Sequence, residues 1–417
     1  MPAINSGDTA FMMLCCAMVF LMTPGLALFY GGMVRRKNVL NTLMSSFFVC
    51  GLASLLWIFI GYSLSFGANA GSAGIIGGFS FVGLANIGQT TAYAPTIPSL
   101  AFVAFQMMFA IITPALITGA LAERMRFSAL ALFLAIWSVV VYYPLAHMLW
   151  AADGFLYKLG AVDFAGGLVV HVSSGISGLV ACIMLGRRRG HGVVSYKPHN
   201  LPLIFIGAGL LWFGWFGFNG GSALTSGSLA FSAFMATNTS AAAAMLSWML
   251  VEKIKTGKST MLGAVTGAVV GLATITQSSG FVSIWAAAII GAVASPVCYM
   301  AMSFIKRKFG FDDALDAFGC HGVGGIWGCI ATGLFAQSAI NPAAKWDGLV
   351  FGSTELFVRQ LAALGITVAL AAVGTFVILA VIKKCMPIRV SEKEEADGLD
   401  YTEHGESAYP AFTGLDQ

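Results

Sequence analysis

Asp163-Phe-Ala-Gly-Gly-Leu-Val-Val-His171-Val-Ser-Ser-Gly175-Ile176-Ser-Gly178-Leu-Val-Ala181 and Asp313-Ala-Leu-Asp-Ala-Phe-Gly-Cys-His321-Gly-Val-Gly-Gly325-Ile326-Trp-Gly328-Cys-Ile-Ala331 share the pattern D-x7-H-x3-G-I-x-G-x2-A, 150 positions apart. Each histidine lies inside a long apolar run, where an ionisable side chain is expensive and marks function by default. A single buried histidine is most simply a structural residue bonded to a backbone carbonyl. Two at matched positions point instead to a duplicated chain with a site at the seam between its halves.

The rest of the chain is a setting for that seam. Hydrophobic residues make up 58% and charged residues 10%, against about 25% charged in an average soluble domain. Glycine is abundant, at 50 of 417 residues, which suits helices packed closely in lipid. Eleven apolar segments are long enough to span a bilayer as helices: 9–33, 41–66, 98–122, 128–150, 165–186, 201–218, 227–251, 260–276, 282–305, 317–337 and 355–383. Of the 22 lysines and arginines, only Lys158, Lys345 and Arg359 fall on one set of alternate connections. The positive-inside rule then places the N-terminus outside and the C-terminus in the cytoplasm, which an odd number of spans requires.

The fold class is therefore an all-α integral membrane protein, multi-pass in the cell membrane and in contact with its lipids. Two units are expected, a membrane domain over 1–385 and a polar cytoplasmic tail over 386–417. Met1–Asp8 lacks the basic start of a secretory signal. The loop 67–97, without lysine or arginine, is expected outside and packed over the domain. The cysteines form no CxxC pair and, within the spans, read as small buried apolar residues. No nucleic-acid module, Walker loop, dinucleotide fingerprint or Ser-His-Asp arrangement is visible, so neither a nucleic-acid partner nor a cofactor is expected.

His171 falls on the fifth span and His321 on the tenth, so their helices run in opposite directions. Each lies eight residues beyond its aspartate, a rise of about 12 Å. Two such penetrations into an apolar slab of about 30 Å leave about 6 Å between the histidines along the membrane normal. A metal needs three or four ligands, and no further His, Cys or carboxylate lies at that depth. What remains is a pore or relay lined by two neutral imidazoles, each offering one donor and one acceptor.

A second theme sits at the outer span ends. Ala104-Phe105-Gln106-Met-Met-Phe109 opens the third span, His147-Met-Leu-Trp150 closes the fourth, and Trp212-Phe-Gly-Trp215-Phe216-Gly217-Phe218-Asn219-Gly220-Gly221-Ser222 closes the sixth. Such aromatics usually anchor a helix at the interface. Aromatic faces beside one hydroxyl also hold a small cation, and a site without a full countercharge suits a substrate that must leave.

At this point the residues resemble the ammonium transporter (Amt/Mep/Rh) family, of the bacterial or archaeal Amt type, from Phe11 to the Gly398–Tyr409 tail. The resemblance rests on Pro24-Gly25-Leu-Ala-Leu-Phe29-Tyr30-Gly31-Gly32, Gly119-Ala-Leu-Ala-Glu123-Arg124-Met-Arg126-Phe-Ser, Asp163-Phe-Ala-Gly-Gly, Lys197-Pro-His-Asn-Leu-Pro202, Trp215-Phe-Gly-Phe-Asn-Gly-Gly-Ser222 and Asp316-Ala-Phe-Gly-Cys-His321-Gly. It implies eleven transmembrane helices in two inverted five-helix halves plus a final helix, assembled as a homotrimer with one pore per subunit. It further implies that Trp150, Phe109 and Ser222 recruit ammonium, with Phe105 as a further aromatic wall and Asp163 beneath; capping the fifth span is the simpler role for Asp163. Phe109 and Phe218 resemble the family's gate, and His171 and His321 its twin histidines. Thr276-Gln277-Ser278-Ser279-Gly280 departs from the pattern, since many relatives carry a proline after the threonine.

The expected activity is conduction of ammonia, or net ammonium with its proton, with methylammonium as an analogue. The chain is not expected to be an enzyme. An ammonium sensor signalling through its tail is the alternative, and a membrane enzyme using the histidines as acid and base is a weaker one. Glu392, Glu394, Glu395 and Asp397 are expected to dock the tail on Arg187-Arg188-Arg189 and Lys253–Lys258, with a PII-type cytoplasmic regulator as a partner implied by the resemblance.

Overall fold

The computed structural model describes residues 4–409, most of them helical. The principal helices are α1 (Ser6–Met33), α2 (Arg36–Phe66), α3 (Ser99–Leu121), α4 (Phe127–Leu159), α5 (Gly167–Leu185), α6 (Leu201–Gly221) and α7 (Ser228–Thr256). They continue with α8 (Met261–Ile275), α9 (Ile284–Phe309), α10 (Phe318–Phe335) and α11 (Glu355–Cys385). Two short tail helices follow, α12 (Glu392–Asp397) and α13 (Leu399–His404). Among the described residues, ten helices are long and apolar enough to cross a membrane, and α8 is a shorter apolar helix of 15 residues. The chain is thus a multi-pass membrane protein.

Helix starts follow local chemistry. Asn5, Asn200 and Thr260 each accept a backbone N–H from the first turn of α1, α6 and α8, which satisfies donors that a helix start leaves without partners. Packing then depends on small residues. A Cβ on Gly207 of α6 would lie 2.4 Å from the Phe29 backbone nitrogen of α1, so glycine is what lets these two helices touch backbone to backbone.

The helices carrying the two histidines are irregular in the same way. Each begins with a π-helical stretch, Gly167–Val172 in α5 and Phe318–Gly322 in α10. They cross at the matched glycines of the repeated pattern. A Cβ on Gly175 would lie 2.1 Å from the Gly322 nitrogen, and one on Gly325 would lie 3.0 Å from the Val172 nitrogen. No larger residue fits at Gly175 without parting the helices. The repeat seen in the sequence is therefore a pair of reciprocal contacts in space.

The loop 67–97 folds back on the bundle. The Ser63 hydroxyl donates to the Gly78 carbonyl at 2.7 Å, and Asn69 donates from its backbone and its side chain to Asp153, at 3.1 and 3.2 Å. A short antiparallel ribbon, Thr90–Thr91 with Ala94–Pro98, closes it.

The tail is also bound. Asn38 accepts the Leu399 N–H at 2.9 Å, Asp400 accepts the Asn41 N–H at 2.9 Å, and Lys37 Nζ donates to the Ala396 carbonyl. Glu395 accepts the Arg189 N–H at 2.6 Å and pairs with Arg389 at 2.7 Å, while Arg126 pairs with Glu394 and Glu403. The expected Arg189 contact is present. Among the described residues, no tail hydrogen bond or ion pair reaches Lys253–Lys258. Their neighbour Glu252 turns instead to Thr260, whose N–H it accepts at 2.8 Å. Residues 410–417 of the tail lie outside the described residues.

Candidate functional site

Three cavities lie in sequence through the bundle. The first, of about 130 Å³, is lined by Trp150, Phe109, Ser222, Gln106 and the aromatics Phe66, Tyr93, Phe102 and Phe164. Its floor is Phe109, whose ring meets Phe218 at a centroid distance of 4.4 Å. Beyond that pair lies a narrow apolar lumen of about 20 Å³, walled by Phe218, Trp215, Leu26, Ile112, His171 and His321. A space of that size holds about one water-sized molecule. The lumen shares Phe29, Val269, Leu315 and Cys320 with a wider chamber of about 250 Å³, where Trp248, Glu252 and Asp316 appear.

The first cavity is built on a helix cap. The Asp163 carboxylate accepts four backbone N–H groups, from Gly166, Gly167, Leu168 and Val169, at 2.6–3.0 Å. Its own carbonyl accepts the indole N–H of Trp150 at 3.0 Å. Capping is thus what the carboxylate does, and Trp150 is held through the backbone of the same residue. Asp313 repeats the cap on α10, accepting from Ala317 and Phe318 at 3.1 and 2.8 Å. Ser222 donates to the Phe218 carbonyl at 2.8 Å, which leaves its oxygen free to accept. Phe105 packs edge-on against Phe109 at 5.0 Å and stands close to Gly221. It lies outside the cavity lining and supports Phe109 from behind.

The two histidines meet. Their ring centroids are 5.2 Å apart with planes inclined by 14°. His171 also lies near-parallel to Trp215, with centroids 5.4 Å apart. Both ring nitrogens of His171, and Nδ1 of His321, are buried without a protein hydrogen-bond partner. Polar groups in that state demand an acceptor or donor from whatever enters the lumen. Trp215 is fixed by its own N–H, which donates to Thr276 at 2.8 Å. The segment Thr276–Gly280 is therefore a buried support of the lumen; Gln277 also donates to the Val162 carbonyl at 3.0 Å.

Several wall residues had no clear signal in the sequence. Phe102 and Tyr93 stack at 5.3 Å, and Phe66 meets Phe102 edge-on at 5.0 Å. Tyr93 comes from the loop ribbon, and only tertiary folding brings it to the cavity. Gln106 stands in the quoted third-span stretch, one turn before Phe109, where helical spacing alone places it on the same face.

At the end of the bundle remote from Trp150, an ion cluster ties four connections together. Arg188 pairs with Glu123 and with Asp312, each at 2.8 Å, and Glu123 also holds Arg35 at 2.9 Å and accepts from Asn38 at 2.8 Å. Burial opposes ionisation of Glu123, but Arg188 and Arg35 outweigh it and hold the carboxyl below its usual range. Burial likewise opposes ionisation of Asp312, and its hydrogen bonds and charge pairing with Arg188 hold it far below. Asn38 also receives the tail, so the tail rests on this cluster.

The Ammonium Transporter Family matches residues 10–409. The chain is 51% identical over 407 residues to an ammonium transporter of Bacillus subtilis, covering 97% of this chain and 99% of that protein. Its fold is similar to the crystal structure of Mep2 of Saccharomyces cerevisiae, with a TM-score of 0.86 and 33% identity over 99% of this chain and 93% of that one. A solved structure described as a sensor Amt protein is similar to the same degree in fold, with a TM-score of 0.86 and 28% identity over 95% of this chain and 98% of that one. With its apolar helices, aromatic cavity and paired histidines, this chain belongs to the ammonium transporter family.

Proposed function

We propose that the protein takes up ammonium at the Trp150 cavity, removes a proton from it, and conducts ammonia past His171 and His321 into the cell. The observation that carries this reading is the lumen of about 20 Å³, apolar but for two histidines, Tyr30 and Cys320, and closed by Phe109 against Phe218. A bare ammonium in such a space would cost several kcal/mol. Ammonia is neutral and nearly the size of water. Desolvation at the aromatic gate helps the conversion, because it lowers the pKa of a cationic amine. Phe109 and Trp150 offer ring faces to the cation and Ser222 an oxygen. Sodium and potassium have no proton to shed, which provides selectivity.

In this reading α8 also crosses the membrane, giving eleven spans. The N-terminus is outside and the C-terminus inside, as the basic residues favour. The reciprocal Gly175 and Gly325 contacts support two inverted five-helix halves, with α11 added. Residues 1–385 form the membrane domain and 386–417 a cytoplasmic tail. Three such chains assemble as a homotrimer with one pore each, and a PII-type regulator acts on the cytoplasmic face. The unpartnered nitrogens of His171 and His321 serve the passing ammonia; no hydrogen bond joins the two rings directly, so a proton accompanying it would need the passing molecule as a bridge between them.

The test is transport by the purified protein in liposomes. Ammonium and methylammonium gradients are expected to give saturating flux, and potassium gradients none. Equal flux for potassium would contradict the reading. A second reading is an ammonium sensor, favoured by the docked tail and by the likeness to the sensor Amt protein. It predicts ammonium binding and tail release without saturating flux.

A further inference from the structure

His147 is a buried ionisable residue that the pore does not use. It lies fully buried one helical turn before Trp150. Its Nδ1 is 3.0 Å from the Ser65 carbonyl oxygen, and its Nε2 is 2.6 Å from Asn69 Oδ1. A carbonyl oxygen only accepts, so Nδ1 carries a proton. The orientation of the Asn69 amide is set by its other end. Asn69 Nδ2 donates to the Asp153 carbonyl at 3.2 Å, and reversing the amide would bring two oxygens together there. Asn69 therefore presents its oxygen to Nε2, which must carry a proton too. The Asp153 carboxylate lies 3.9 Å from Nε2 and provides the countercharge. A separation of 2.6 Å is in keeping with a charge-assisted bond.

We propose that His147 is an imidazolium that clamps the loop 67–97 to the end of α4 and so positions Trp150. The clamp is continuous. Asn69 takes Asp153 by backbone and side chain, the Phe155 N–H donates to the Gly74 carbonyl at 2.8 Å, and a Cβ on Gly154 would lie 2.2 Å from the His147 carbonyl. Only glycine permits the turn that begins beside Trp150. The same loop carries Tyr93, which walls the cavity.

The charged groups near His147 are few. Burial opposes the charged ring most; the Ser65 carbonyl and Asp153 favour it, and Lys158 on the same connection opposes it. Tyr62 and Tyr93 are the phenols on the packed loop and its preceding helix, and His171 stands on the neighbouring α5. Loss of the second proton turns Nε2 into an acceptor facing an acceptor. The clamp then loosens, and Trp150 and Tyr93 lose their fixed spacing. His147 is thus a positioning residue whose charge couples ammonium affinity to the pH on the Trp150 side.

This inference rests on the proposed recruitment at Trp150, but its first test does not. In full-length protein with nitrogen-15 in its histidines, the His147 ring should show both nitrogens protonated at pH 6, and Asp153→Asn should lower the pH at which one proton leaves. A neutral His147 ring at pH 6 overturns the proposal whatever the transport result. In liposomes, the half-saturating concentration, expressed as ammonium ion, should rise about threefold or more as the pH on the Trp150 side passes the His147 transition. In Asp153→Asn the rise should move to lower pH, and in His147→Gln it should vanish. A wild-type rise that is unchanged in both variants overturns the proposal, whereas absence of saturable flux in the wild type overturns the recruitment reading instead.

Discussion

The indole N–H of Trp150 donates to the backbone carbonyl of Asp163 at 3.0 Å, while the carboxylate of that aspartate caps the helix of His171. One residue thereby sets the wall of the first cavity and the depth of the histidine below it. The Phe109 ring completes the link, edge-on to Trp150 at 5.8 Å and against Phe218 at 4.4 Å.

Trp150→Leu should keep the fold and weaken recruitment. A cation–π contact is worth about 0.5–2 kcal/mol, so the half-saturating ammonium concentration should rise about 2- to 30-fold. Liposome flux against ammonium and methylammonium concentration measures it. An unchanged concentration dependence with unchanged selectivity would remove Trp150 from the site.

Gly175→Ala tests the helix crossing. The new methyl group would lie 2.1 Å from the Gly322 nitrogen, next to His321. Overpacking at such a point costs about 1–3 kcal/mol or more. The variant should unfold at a lower temperature in detergent and show loss of flux. A wild-type melting temperature together with wild-type flux would mean that the α5–α10 contact is not as close as described.

The cluster of Glu123, Arg188 and Asp312 should resist mild acid. Both carboxyls are held below their usual range, so the stability they contribute is present above a pH of about 4 and fades only as pH falls through the depressed values. Protection factors of the amides in residues 187–194, taken against the intrinsic exchange rate at each pH, should therefore stay constant from pH 8 to 5. Glu123→Gln removes one charge from a buried pair, at a cost of about 3–5 kcal/mol. Faster exchange should appear there already at neutral pH. Unaltered exchange in the variant would show that the pair carries no stability.

The tail should act through the same cluster. Ending the chain after Val390 removes Glu394, Glu395 and the Leu399 contact to Asn38. Flux is expected to fall while the assembly stays intact on size-exclusion chromatography. Wild-type flux from the truncated protein would make the docked tail a passive terminus.

Much of this was legible in the sequence because the signals are local. Apolar runs of span length and the D-x7-H repeat located the helices and the seam. The arithmetic of eight residues of rise put the histidines about 6 Å apart along the normal, close enough to be neighbours, and their ring centroids are 5.2 Å apart in space. Features that depend on distant parts of the chain were not legible. The π-helical starts of α5 and α10 have no composition signature. Tyr93 reaches the cavity through a loop, and Phe105, from the same stretch as Phe109, falls behind the wall. The acidic tail suggested docking by charge, but charge alone did not distinguish Arg189 from Lys253–Lys258. Hydrogen bonds accepted by Asn38 and donated by Asn41 and Lys37 made that choice.

The central claim is that the two histidines carry the substrate path. The most direct measurement is the ammonium-evoked current of His171→Leu/His321→Leu protein in liposomes on a solid-supported membrane, beside the wild type. The wild type is expected to give a saturating current, and the folded double variant none at equal protein density. A full-size ammonium current from that variant would contradict the account.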